Sequence, residues 1–495
     1  MQLLNSPEIK LAIVGVSRDC FPIDLTRRRS RILAESCAKI GVPVALLTTI
    51  IENENDALAA LKEAADAGAN AAVIYLGNFG PEGPLSIFAQ QFPGPVMAIA
   101  AAEESKALLV DGRGDAYCGM LNASYNFGLR NVPVFIPQWP VGLPDELALQ
   151  VKHFQTVARI VIGVKNLKIF GFGPRPQDFY ACNAPIKPFY ELGIEVMENS
   201  ELDLWALYQE TNPDDPEIAK IVEEMAAELG TASPYPDLLP KLARFELTLL
   251  RFCENNLGSR QYGVFANKCW PSFEKAFGFV PCYVNSRLAA KGIPVACEVD
   301  LYGALSEYIA QLASNFPATL LDINNTVPND LIDGADLKGA TAADLFMGFH
   351  CGNTPSCCTK SCKMSYQFIM HRLMEEPGSE PDFTRGTIEG QLKPGPTTVF
   401  RVQGTAEGTL TSYIAEGEVL DIDPHSFGSI GIFGIPDFAR FYRHVLVGKR
   451  YPHHAAIAFT QCGEALYDAV KLLGVRDINT PLPTQLRYPG ENPFA

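Results

Sequence analysis

Short, mostly apolar runs alternate with amphipathic stretches over the first third of the chain, and this alternation restricts the fold more than any other feature. LAIVGV (11–16), VPVALL (42–47), NAAVIYL (70–76) and GPVMAIA (94–100) read as strands buried on both faces. DALAALKEAADAGA (56–69) carries apolar residues at helical spacing and runs into a glycine-containing stop. Such alternation builds a parallel sheet with helices on both faces. The helical ELALQVKHFQTVARIVIGV (146–164) leads into a second unit of the same kind. Its strands are LKIFGF (167–172), IEVME (194–198), QYGVFA (261–266), IPVACE (293–298) and ATLLD (318–322). Helices are expected at DPEIAKIVEEMAAEL (215–229) and DLLPKLARFELTLLRFCENN (237–256). Beyond about residue 340 the texture changes: TTVFRVQGTAEGTLTSYIAEGEVLDI (397–422) alternates, is rich in β-branched residues and turns at glycine. The expected architecture is therefore α/β: two doubly wound α/β domains, 1–165 and 166–340, followed by a β-rich, barrel-like C-terminal domain, 341–495. A chain of 495 residues has room for several cores.

Two of the expected strands end in an acid. Glu298 closes the apolar run 293–298, and Asp322 closes 318–322. In a parallel α/β sheet, ligands bind at the carboxyl ends of the strands. A strand–helix–strand unit would make these two strands parallel and bring both carboxylates to one edge. Two nearby carboxylates repel, and each alone is costly to bury. A shared divalent cation removes both problems; pairing with an arginine or a helix cap is the structural alternative. Asp300 directly precedes a helical stretch and reads as an N-cap. RYPHHAAIAF (450–459) supplies His453 and His454 at the start of another apolar run. Adjacent strand residues point to opposite faces, so at most one is expected to reach a given cation. Two carboxylates and one imidazole suit manganese or magnesium better than zinc.

Composition limits the partners. The formal net charge is −16, which argues against nucleic acid and anionic membranes. No apolar run approaches the roughly 18 residues of a membrane span, and the start lacks a signal-peptide pattern. A cytoplasmic protein is expected, its 13 cysteines mostly buried thiols.

The motifs ACEVDLYGALSEYI, LLDINN, TTVFRV and PHHAAIAF, with FGFGPRPQDFYACN (170–183) and the following ELDL, together resemble the L-fucose isomerase and L-arabinose isomerase superfamily, closer to the fucose isomerase side. The resemblance runs in order through nearly the whole chain. It implies two α/β domains and a β-rich domain, interconversion of an aldose and a ketose with Mn2+ (other divalent cations possible), and a homo-oligomer, hexamer or trimer, with sites near subunit interfaces. Carried over residue by residue, it implies that Glu298 and Asp322 both bind the metal and transfer protons. It makes His454 the histidine ligand and places His453 near the substrate.

Other signals are weaker. Arg175, Asn183, His350 and Asn353 are candidate substrate contacts; His350 is also a possible metal neighbour, and Arg175 a possible loop tie. GFG (171–173) lacks the third glycine of a dinucleotide fingerprint, since Pro176 stands there. Arg27, Arg28, Arg29 and Arg31 read as an exposed helix face or, alternatively, an anion site. Cys351, Cys357, Cys358 and Cys362 lack the paired spacing of a zinc knuckle. The expected function is a metal-dependent isomerase of an open-chain aldose, L-fucose- or D-arabinose-like. The alternatives are isomerisation of a 6-sulfonated aldose (sulfoquinovose to sulfofructose), a non-catalytic sugar-binding protein, and an epimerase or aldolase using the same enediol chemistry.

Overall fold

The structure, a computed structural model, describes residues 3–183, 185–230 and 233–494. The chain packs into two compact units: Pro7–Ile162 with Asp468–Gly474, and a larger one comprising Gly163–Tyr467, Val475–Ala495 and the N-terminal segment before Pro7.

The smaller unit holds a five-stranded, all-parallel sheet. Its strands are β1 (Leu11–Val16), β2 (Val44–Leu46), β3 (Ala71–Leu76), β4 (Val96–Ala101) and β5 (Val141–Gly142), in spatial order β2-β1-β3-β4-β5. Every residue of β1, β3 and β4 is buried, as continuous apolar runs require when helices cover both faces. The expected 56–69 helix forms as Glu54–Asp66, started by Asn53, whose side chain accepts from the Asn55 and Asp56 N–H groups. The arginine cluster lies on the Ile23–Lys39 helix. Arg29 is buried and pairs with Glu103 and Glu104, Arg28 makes a two-bond contact with Glu104, and Arg27 pairs with Asp24. These guanidinium groups are thus engaged within their own unit.

The larger unit contains two sheets. One is parallel, in order β7-β6-β8-β9, built from β6 (Leu167–Gly173), β7 (Glu195–Ser200), β8 (Tyr262–Ala266) and β9 (Val295–Ala296). The other comprises β10 (Thr319–Asn325), β11 (Leu345–His350), β12 (Lys363–Tyr366), β13 (Arg385–Gln391), β14 (Gly395–Gly404), β15 (Leu410–Leu420), β16 (Ser429–Gly434), β17 (His454–Ala458) and β18 (Asp477–Asn479). Within it β16, β11, β10, β17, β14 and β15 are antiparallel neighbours, and β15 pairs back onto β16, closing a six-stranded barrel. The α/β sheets followed by a strand-rich, barrel-like module match the expected fold class.

One expectation needs correction. Glu298 and Asp322 do not end parallel strands of one sheet. β9 belongs to the parallel sheet, whereas β10 joins the barrel, antiparallel to β11 and β17. The cause lies in the intervening helix, Leu301–Ser314. Its first twelve residues are all buried, so it has no solvent face. A helix buried all round is a shared core element rather than the cover of a single sheet. It packs against β6, β8 and β9 on one side and β10, β14 and β17 on the other. The chain thereby passes from one sheet to the next.

Candidate metal centre

Glu298 leaves β9 in a tight turn. Both Glu298 and Val299 adopt left-handed backbone angles, φ 58° and 56°. For a β-branched residue this is costly, about 1–3 kcal/mol, and such strain persists only where the surroundings impose it. The Val299 N–H donates to the Asn267 carbonyl at 2.9 Å, anchoring the turn beyond β8. Asp322 comes from the barrel, where it stands opposite His454 on β17 and opposite Phe349 on β11, so His350 adjoins it.

These residues converge. His454 Nε2 lies 3.3 Å from Glu298 Oε2 and 3.5 Å from Asp322 Oδ1. His453 Nε2 is 4.0 Å and 3.7 Å from the same two carboxylates. Both histidines of the pair thus reach the acids, since β17 begins at His454 and strand alternation does not govern His453. His453 packs edge-on against Phe179, ring centroids 5.4 Å apart.

His454 is held from behind. Its Nδ1 lies 2.9 Å from Asp300 Oδ2, and Asp300 is clamped by Arg401 through bonds of 2.8 and 3.1 Å. All three side chains are essentially fully buried. Asp300 does cap its helix, accepting from the Gly303 N–H at 2.8 Å, but it is also the group that orients the imidazole. Arg401 further binds Gln403 and the His454 carbonyl. This layer, and Cys182, whose sulfur is 3.7 Å from His454 Nδ1 and 4.0 Å from Glu298 Oε2, were not anticipated as site residues. A signal existed for Arg401: a guanidinium in the middle of the apolar run TTVFRV needs a buried acid.

Two buried polar atoms, His454 Nε2 and Asp322 Oδ1, have no hydrogen-bond partner among the described residues. With Nδ1 directed at a carboxylate, a neutral His454 would present a bare Nε2 lone pair to two carboxylates. In the protein alone a proton relieves this repulsion. Burial pushes the His454 pKa down, but Asp300, Cys182 and Glu298 outweigh it and hold the imidazole well above its usual value. Burial raises Glu298 while His454 lowers it, with a net depression. Ligand atoms of Glu298, His453 and His454, and likewise of Asp322, His350 and His454, lie within 4.8 Å of one another, so a divalent cation could take the place of that proton. The donor set of Glu298, Asp322 and His454 fits a hard or intermediate cation.

His350 is buried, and its ring lies 5.8 Å from that of His454. Its Nδ1 accepts the Cys351 N–H at 2.9 Å, which leaves the proton on Nε2. Burial lowers its pKa, so it stays neutral. In this tautomer it can donate to an oxygen, and it also lies within ligand distance of Asp322 and His454. Arg175 acts at least as a loop tie, its Nε donating to the Cys182 carbonyl at 2.9 Å. Asn183 is exposed and lines a separate cleft of ≈ 740 Å³ with Tyr180, Gln403 and Tyr451, a lining that includes neither carboxylate. Asn353 is buried with its side-chain oxygen unpartnered among the described residues; no contact joins it to the carboxylates.

Glu307, on the central helix, is a further buried acid with one oxygen unpartnered among the described residues. Burial pushes its pKa up to about 8, against the pull of His454. The folded state therefore keeps a proton that the unfolded chain releases near pH 4.3. Its stabilising contribution is complete below that pH and declines as pH rises toward about 8, by on the order of 1.4 kcal/mol per pH unit. Glu307→Gln should accordingly stabilise the protein more at pH 8 than at pH 5. Urea unfolding at both values tests this; an equal effect at the two pH values would contradict a buried neutral acid.

Fold and site together define an α/β-plus-barrel protein in which two carboxylates and two histidines meet at one point. Family models match at both ends of the chain: the fucose/sulfoquinovose isomerase N-terminal domain over residues 12–165 and the L-fucose isomerase C-terminal domain over residues 348–479. The chain belongs to the fucose/sulfoquinovose isomerase family, a family of aldose–ketose isomerases. It is similar to the sulfoquinovose isomerase of Alkalicoccus urumqiensis, 26% identical over 327 residues, covering 64% of this chain and 66% of that protein. It is also similar to those of Priestia megaterium (strain ATCC 12872 / QMB1551), 23% over 340 residues (68% and 69%), and Clostridium sp. (strain MSTE9), 26% over 288 residues (57% and 58%). The matched region spans about two thirds of the length of the first two.

Proposed function

We propose that this chain is a divalent-cation-dependent aldose–ketose isomerase acting on a 6-sulfonated aldohexose of the sulfoquinovose type. The observation that carries the chemistry is the meeting of Glu298, Asp322 and His454 with Nε2 and Oδ1 left unpartnered. The substrate rests on the relatives, all named sulfoquinovose isomerase, which favour the sulfonated sugar over the L-fucose- or D-arabinose-like substrate first expected.

Glu298, Asp322 and His454 would hold the cation, with Mn2+ the best match to these ligands. When bound, it supplies positive charge that polarises the sugar carbonyl. The two carboxylates move the protons: one takes the proton from C2 and returns it to C1, while the other carries the hydroxyl proton from O2 to O1. Asp300, braced by Arg401, fixes the His454 ring, and neutral His350 offers an N–H to a sugar oxygen. His453 and Phe179 wall the pocket. No described helix is long and apolar enough to cross a membrane.

The test is incubation of metal-stripped and Mn2+-reloaded protein with sulfoquinovose, L-fucose and D-arabinose in deuterated water. Ketose carrying solvent deuterium should form from sulfoquinovose, only after reloading. Full turnover in stripped protein confirmed by elemental analysis would remove the cation from the mechanism; turnover of L-fucose alone would reverse the substrate assignment; binding without turnover would make this a sugar-binding protein.

Self-association is part of this reading. On the Ala116–Leu129 helix, Tyr117, Leu121, Tyr125 and Leu129 recur every fourth residue and are 61–66% exposed, with Trp139 beside Tyr117. An exposed apolar stripe of this kind marks an interaction surface. Leu121→Asp with Tyr125→Asp should shift the protein to a smaller species in sedimentation velocity without unfolding it. An unchanged assembly would place the interface elsewhere.

A further inference from the structure

Two cysteines stand side by side in the turn Ser356–Cys358. Both are free thiols, and their sulfur atoms lie 3.9 Å apart. Cys357 is half-buried; Cys358 is buried, its sulfur 3.6 Å from the Pro317 carbonyl at the foot of β10. The turn is firmly held. The Cys358 N–H donates to the Pro355 carbonyl at 2.8 Å, and the Lys393 N–H to the Cys358 carbonyl at 2.9 Å. Lys393 also reaches in with its ammonium, Nζ donating to the Cys357 carbonyl at 2.8 Å. A cation and a neighbouring S–H are the surroundings that stabilise a thiolate. The Cys358 S–H lowers the Cys357 pKa, burial opposes it and Lys393 lowers it further; the net shift is downward. Burial leads the opposite, upward shift of Cys358.

We propose that Cys357 and Cys358 form a peroxide-reactive vicinal dithiol, with Cys357 the attacking sulfur and Cys358 the resolving one. The Cys357 thiolate attacks one oxygen of hydrogen peroxide. The O–O bond breaks, leaving a sulfenic acid and hydroxide. The Cys358 sulfur then attacks the Cys357 sulfur, the S–O bond breaks and water leaves as the S–S bond forms. In sum, two thiols and one peroxide give one disulfide and two waters; the thiols lose two electrons and the peroxide gains them. A disulfide is about 2.05 Å long, so the sulfurs must close by about 1.9 Å from the 3.9 Å seen here. Neighbouring Cα atoms about 3.8 Å apart lie below the usual disulfide range, so the ring is strained and easily reduced. Closing it would draw Cys358 away from Pro317, five residues before Asp322. The proposal does not depend on the isomerase reading.

The experiment treats the reduced, full-length protein with a few equivalents of peroxide, blocks remaining thiols with N-ethylmaleimide and maps them without reduction. The peptide holding Cys357 and Cys358 should lose about 2 Da and its alkylation, and regain both after dithiothreitol. It should react at least about 10-fold faster than the exposed Cys20 and Cys118. Cys358→Ser should instead trap a dimedone-reactive sulfenic acid at Cys357, and Cys357→Ser should leave Cys358 reduced; equal melting temperatures would show that both variants fold. Faster oxidation of Cys20 or Cys118, a Cys357–Cys362 bridge, or no dimedone adduct in Cys358→Ser would overturn the proposal.

Discussion

Glu298→Gln and Asp322→Asn should each lower kcat at least about 100-fold, the usual contribution of a positioned proton-transfer group. An amide cannot accept the proton, yet it occupies nearly the same volume, so circular dichroism and melting should stay close to the parent. Loss of solvent deuterium from recovered sugar would show that carbon–hydrogen exchange itself has stopped. The two variants should also differ from His454→Ala, which keeps both proton carriers and acts chiefly on cation affinity. If either amide variant kept more than about a tenth of the parent kcat, that carboxylate would not be a proton carrier.

Arg401→Leu should cost on the order of 3–5 kcal/mol of stability, the cost of leaving one charge of a buried pair unmatched. Asp300 is buried, and burial alone would raise its pKa; Arg401 first and His454 second hold it far below the ordinary carboxylate range. Asp300→Asn should lower cation affinity about 10- to 100-fold, because it weakens the group that fixes the His454 tautomer. The double variant Asp300→Leu, Arg401→Leu separates the roles. Replacing both charges should restore much of the stability lost in Arg401→Leu, since an apolar pair can match a buried ion pair. It should not restore cation binding. Recovery of both properties together would show that the pair serves packing alone.

The outlines of most strands were legible because a strand covered on both faces must be almost wholly apolar, whatever it packs against. The runs at 11–16, 70–76 and 167–172 became β1, β3 and β6 within a residue at either end. The two acids that meet His454 stood out for the complementary reason, since a carboxylate beside such a run is costly without a partner. The sheet each strand joined was not legible. The same local pattern serves a parallel sheet and a closed barrel, and β10 was assigned by pairing partners 22 residues or more away in the chain. The reach of His453 also escaped the strand rule, because that rule applies only once the strand has begun.

By itself, then, the sequence determined the α/β-then-barrel order and the identity of Glu298, Asp322 and His454 as chemically conspicuous groups, because burial and charge act locally. Only the tertiary structure decided that Asp300, besides capping its helix, orients an imidazole, that Arg401 compensates it from barrel strand β14, and that Cys182 lies against the pocket. Those contacts join residues 101, 154 and 272 positions apart. Their physical basis is desolvation shared among groups that meet only when the central Leu301–Ser314 helix is enclosed between the two sheets of its unit.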